Sequence, residues 1–329
     1  MYLKKKLLIL KIITLVSHNP SLFLSLMKTM IWFIFGSLIF SVDAKNLDLK
    51  KVSDDSNWIM HMNFDSMRSS EIGIFIQEAY ENIPAVQSKI QKAQGKYGID
   101  IMETSNLTMF GSGERLRGIG ILEGGVDASI VSEFARSKDS IEESRVGENT
   151  IFSNLNGRRP MAFSTFKKSK LVFGTNPDYV AEGIFLSEGK ETATIEHPVL
   201  ESLEGLLDEP GFLFFANVKG AMDVVELDER VQLMVDKIDS AGMVIGEQQS
   251  GLMIIGLVQV NSIEMSEPME NMIRAGLAMM EMKLNKNDQL DGFLKGYQVT
   301  STGIQIRVEM ELSIPFIIER IKEEMKKSV

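Results

Sequence analysis

Large apolar residues alternate with others in two short stretches, WIMHMNFD (Trp58–Asp65) and FLFFANVK (Phe212–Lys219). A period of two predicts a strand with one buried face. Laid against each other, Trp58 meets Phe212, Met60 meets Phe214, Asn63 meets Asn217 and Phe64 meets Val218. A helical period follows each. Ile72, Phe75, Ile76, Ala79, Tyr80 and Ile83 form one apolar stripe, and Val224, Leu227, Val231, Met234 and Ile238 form the other. A hairpin is predicted next in both places, NLTMFGSGERLRGIGIL from Asn106 and GMVIGEQQSGLMIIGLV from Gly242, with Gly111 opposite Gly246 and Gly120 opposite Gly256.

Second helices are lined by Val126, Ile130, Val131 and Phe134 in the first half, and by Met269, Met272, Ile273, Gly276, Leu277 and Met280 in the second. Further strands are predicted at 149–155 and 160–175, the latter open to subdivision by a hairpin, and at 292–300 and 303–313. Closing helices start at Pro177 and Pro315, since proline suits a first helical position whose N–H has no partner. The element order predicts an α+β fold. Two tandem ferredoxin-like units (βαββαβ plus a closing helix) are expected, related by internal duplication, with antiparallel sheets and helices on one face. The first unit covers 57–186 and the second 211–329, joined by a linker, 187–210, with a short helix of its own. A polar lead-in, 45–56, precedes them.

Residues 1–44 have a different character. They carry five lysines against one aspartate, a charge of +4, which leaves −14 on the remainder of a chain whose total is −10. From Met27, read as the true start, a single lysine, an apolar core Ile31–Phe40 and Val42-Asp43-Ala44 have the order of a secretory signal peptide cleaved after Ala44. The mature protein is therefore expected outside the cytoplasm, periplasmic or secreted. The alternative is an uncleaved N-terminal membrane anchor over Leu22–Phe40, against which Lys28 counts because a charge inside the bilayer is costly.

The chain has 329 residues, 44% of them hydrophobic and 24% charged, which suits a globular protein and excludes extensive disorder. Cysteine is absent, which excludes disulfides, thiolate metal sites and cysteine nucleophiles. The acidic body excludes nucleic acid, whose phosphates would repel it. No cofactor is expected. Gly118, Gly120 and Gly124 lack the spacing of a dinucleotide loop, and Asn285–Gly292 is a polar turn rather than a calcium loop, because Gln298 stands where a glutamate is needed.

Three groups of side chains invite a functional reading. His61, Asn63 and Asp65 recur at every second position of the first strand and so share a face, where Asp65 would orient His61 toward a bound ligand. Arg158, Arg159, Lys167, Lys168 and Lys170 fall in a stretch without acids, Asn149–Asn176, around two predicted turns. They would contact an anion or a membrane surface, or serve as solvated edge lysines. Among the 21 methionines, Met265, Met269, Met272, Met279, Met280 and Met282 crowd one helix. Met269, Met272 and Met280 fall on its apolar stripe with Ile273 and Leu277, which predicts core packing, with a soft-metal site or an apolar groove as alternatives. The leading functional expectation is a non-enzymatic extracytoplasmic protein that binds or organises an envelope component, a peptide or a lipid. The alternatives are a hydrolase with scattered carboxylates and serines, and a lipid or soft-metal carrier.

Overall fold

A computed structural model describes residues 47–114, 117–157, 160–167, 169–190, 195–218, 235–249, 251–286 and 290–328. The leader 1–44 and the helix expected at Val224–Ile238, as far as Met234, lie outside the described residues, and Ile238 itself opens a strand rather than ending a helix. The chain is a mixed α+β protein whose strands pair antiparallel, and it divides into two compact units.

The first unit takes in residues 47–197 and 209–214. Its strands are β1 (Trp58–Asn63), β2 (Ile99–Gly111), β3 (Ile119–Val126), β4 (Glu142–Val146), β5 (Asn149–Asn154), β6 (Met161–Phe166) and β7 (Lys170–Gly174). They lie in the order β1-β2-β3-β7-β6-β5-β4. Helices α1 (Phe64–Ser69), α2 (Glu71–Glu81) and α3 (Pro84–Tyr97) connect β1 to β2; α4 (Ala128–Arg136) follows β3, and α5 (Pro177–Glu188) follows β7.

The ferredoxin-like order is not formed. In that fold another strand separates the two that flank the first helix, whereas β1 pairs directly and antiparallel with β2. The connection explains the difference. One helix between two strands returns the chain parallel, and a second long helix reverses it. The residues after Pro84 supply that second helix, α3, which starts at Pro84 and ends at Gly98 in the left-handed conformation, φ 68°.

Three rows of directly opposed residues cross the centre of this sheet. Ile59, Phe110 and Ile119 form an apolar row with Gly174. His61, Thr108, Ile121 and Val172 form the next, and Asn63, Asn106, Glu123 and Lys170 the third. The sheet thus changes from apolar to polar over two residue steps. Helix α5 packs on β7, β6 and β3. Asn176 accepts the N–H of Tyr179 at its start, and Val180 and Ile184 are buried. Gly183 makes the approach possible, because a Cβ there would lie 2.6 Å from Val172 Cγ1 and 2.7 Å from Ile119 Cγ2. Toward β4, the buried Val131 and Ala135 of α4 pack with Val126, Phe152, Phe163 and Leu171.

The second unit takes in 198–208 and, from Phe215, the remaining described residues. Its helices are α6 (Pro198–Glu204), α7 (Ser266–Asn285) and α8 (Ile314–Ser328). Its strands are the later half of β8 (Phe212–Asn217), β9 (Ile238–Gln248), β10 (Gly251–Val260), β11 (Leu294–Thr302) and β12 (Gln305–Leu312), in the order β11-β12-β10-β9-β8. Val199, Leu200 and Leu203 bury α6 against β9 and β10. Among the described residues no helix is long and apolar enough to cross a membrane.

Candidate functional site

The polar rows of the first unit border a pocket of about 260 Å³, lined by Asp48, Lys51, His61, Asn106, Thr108, Ile121 and Glu123. Its floor is β1, β2 and β3, and one wall is the 3-10 turn Leu49–Lys51, whose start is capped by Asp48 accepting the N–H of Lys50 at 3.3 Å. A β-bulge shapes the floor. Thr104 stands opposite Gly124 and Asn106 opposite Glu123, so Ser105 is an extra residue on β2. Gly124 takes φ 85°, and a Cβ there would come within 2.4 Å of the Glu103 carbonyl, so the bulge depends on glycine.

His61 is buried on β1, and its Nδ1 lies 2.9 Å from Thr108 Oγ1 on β2. Asn106 is 3% exposed, and its Oδ1 has no hydrogen-bond partner among the described residues. The charges at the mouth are mutually paired. Lys51 Nζ is 3.4 Å from Asp48 and 3.7 Å from Glu123, and Lys170 also pairs with Glu123. Two cations and two carboxylates therefore balance.

Of the three residues expected on one strand face, His61 and Asn63 lie on β1 in successive rows of the sheet, and Asp65 does not. Asn63 is the last residue of β1 and caps α1, its Oδ1 accepting the N–H of Ser66 at 3.0 Å. This capping ends the strand two residues early and places Asp65 in the first turn of the helix. There Asp65 pairs with Arg68, and both side chains are almost wholly buried. Arg68 Nη1 also donates to the Thr104 carbonyl at 2.7 Å. Burial pulls the Arg68 guanidinium below its ordinary pKa, and the Asp65 carboxylate opposes that shift. Asp65 thus belongs to a structural ion pair, while His61 meets Thr108.

Of the basic group, Arg158, Arg159 and Lys168 lie outside the described residues. Lys167 occupies the β6–β7 turn with φ 51° and sits 5.0 Å above the Phe166 ring. Lys170 lies on β7 and is engaged by Glu123. Of the methionines, Met269 and Met280 are buried on α7, Met272 is half-buried, and Met279 and Met282 are exposed.

Asp48, Lys51, Asn106, Thr108 and Glu123 line the pocket without being among the residues expected from the sequence. Their signal was the interruption of an apolar hairpin: Asn106 and Thr108 alternate with Leu107 and Met109, and Glu123 ends the run Ile119–Leu122. No family model and no curated protein matches this chain. Six solved chains match. Crystal form III of TP0453 is 9% identical with a TM-score of 0.48, over 86% of this chain and 99% of that one. Form I is 10% identical with a TM-score of 0.46 over 86% and 98%, and form IV is 10% identical with 0.47 over 85% and 97%. Similarity this loose transfers neither fold detail nor function.

Proposed function

We propose that this chain is a non-enzymatic extracytoplasmic binding protein and that its first unit takes the ligand in the pocket over β1, β2 and β3. The observation that carries this reading is the placing of nearly buried polar side chains, His61 and Asn106, around an open space of about 260 Å³. Burying a polar group is costly unless something satisfies it, and Asn106 Oδ1 has no partner among the described residues, so the site favours a polar guest. Export rests on the leader, with its apolar core Ile31–Phe40 and the Val42-Asp43-Ala44 site.

The test is a melting experiment with the small-molecule extract of the native host. A guest present at a hundred times its dissociation constant stabilises by about 2.7 kcal/mol, a shift that melting resolves. The reading requires such a shift in the wild type and its loss in Thr108→Trp, which fills the pocket. A shift unaffected by that substitution places the ligand elsewhere.

Internal duplication is part of the proposal. In each unit three consecutive strands lie side by side, the last strand pairs with the third, and a helix follows that last strand. That shared order supports a repeat spanning 57–186 and 211–329. Superposing the two units in an experimental structure tests it, and a mismatch of the paired strands would end it.

A further inference from the structure

We propose that the pocket takes a small, uncharged, hydroxyl-bearing ligand of monosaccharide size, anchored by Asn106; this rests on the binding reading above. Three observations lead there.

The first is size. At about 260 Å³ the pocket lies just below the roughly 300–1,000 Å³ of sites that take drug-sized ligands, a size that suits a guest of about one sugar ring. The second is charge. Lys51 pairs with Asp48 and Glu123 in the lining, and Lys170, on the neighbouring strand β7 and outside the lining, pairs with Glu123. An anion or a cation entering the site meets no uncompensated countercharge and must break an existing pair to gain one. A zwitterion must break pairs at both its ends. A neutral guest leaves all of them in place.

The third is the orphaned acceptor. Asn106 lines the pocket, and its Oδ1, shielded from bulk water, has no hydrogen-bond partner among the described residues. It needs a donor. Thr108, on the adjacent row and the same strand, presents a hydroxyl already shared with His61. A guest hydroxyl donates to Asn106 and accepts from a neighbour with the same oxygen, which a purely accepting group does not do. Ile121 gives the site one apolar wall, suited to the C–H face of a sugar ring.

Isothermal titration of the full chain with D-glucose, D-galactose, N-acetylglucosamine, glycine and inorganic phosphate tests this, with wild type and Asn106→Leu melted in parallel. The expected result is saturable binding of at least one sugar, weakened tenfold or more by Asn106→Leu. Its melting curve separates a loss of sugar binding from a loss of fold. Asn106→Ala serves the same comparison if leucine does not fit. Sugar binding that survives both substitutions overturns the anchoring role. Binding of glycine or phosphate alone, abolished by Asn106→Leu, overturns the ligand class and leaves the pocket as a binding site. Silence toward all five probes, together with an unresponsive melting curve in host extract, overturns both.

Discussion

The Asp65–Arg68 pair holds α1 against β2, and removing one partner should cost far more than removing both. Both side chains are about 4% exposed, and Arg68 bonds to the carboxylate of Asp65 and to the Thr104 carbonyl of β2 at once. In Asp65→Ala the guanidinium stays buried without its countercharge, a loss of about 3–5 kcal/mol. Arg68→Met strands the carboxylate and also leaves the Thr104 carbonyl short of a donor. In Asp65→Ala/Arg68→Met the charges go together, and methionine keeps most of the apolar volume of the arginine stem. Only the carbonyl is then left unsatisfied, at about 1–3 kcal/mol. With each single loss at about 3–5 kcal/mol and the double at about 1–3 kcal/mol, the cycle should show a coupling of about 5 kcal/mol. Urea unfolding followed by far-ultraviolet circular dichroism measures all four proteins, with a constant slope confirming a common unfolded state. An Asp65→Ala cost below about 1 kcal/mol, or single costs that sum to the double, would refute the reasoning.

Three other outcomes follow from the packing. Gly183→Ala should destabilise by about 1–3 kcal/mol in the same unfolding assay, because its Cβ would collide with Val172 and Ile119. Met269→Leu should cost less than about 1.5 kcal/mol and Met269→Ala about 2–5 kcal/mol, since Met269 is 3% exposed; Cu(I) uptake that disappears in the leucine variant would make it a ligand instead. The Asp127 carboxyl is held below its ordinary pKa, first by the Ser129 hydroxyl and then by the Ile130 N–H. Its contribution is therefore complete above the unfolded carboxylate's pKa and disappears as the pH falls through the lower folded value. Acid unfolding of Asp127→Asn should lack that component, and acid curves that superpose would contradict it.

What could be read from the sequence was whatever depended on near neighbours. The alternation at Trp58 located β1, and Pro177 located the start of α5. The same alternation ran two residues too far, because Asn63 ends the strand by capping and a cap competes with a ladder for the same backbone. Helix α3 was missed because its apolar positions are sparse, with Ile90 standing among Gln, Ser, Lys and Gly. The pocket was half legible. His61 stood out as a rare residue type, but its partner Thr108 is 47 residues away and becomes visible only in the strand register. Lys170 read as a free cation for the same reason, its partner Glu123 lying across the β3–β7 pair.

Amide chemical-shift mapping during titration with host extract tests the central claim most directly. The account predicts that the largest changes fall on Lys51, His61, Asn106, Thr108 and Glu123, around the pocket over β1, β2 and β3. Changes concentrated on α7 around Met279 and Met282, with the pocket amides unmoved, would contradict it and favour a carrier that works through the methionine-rich helix.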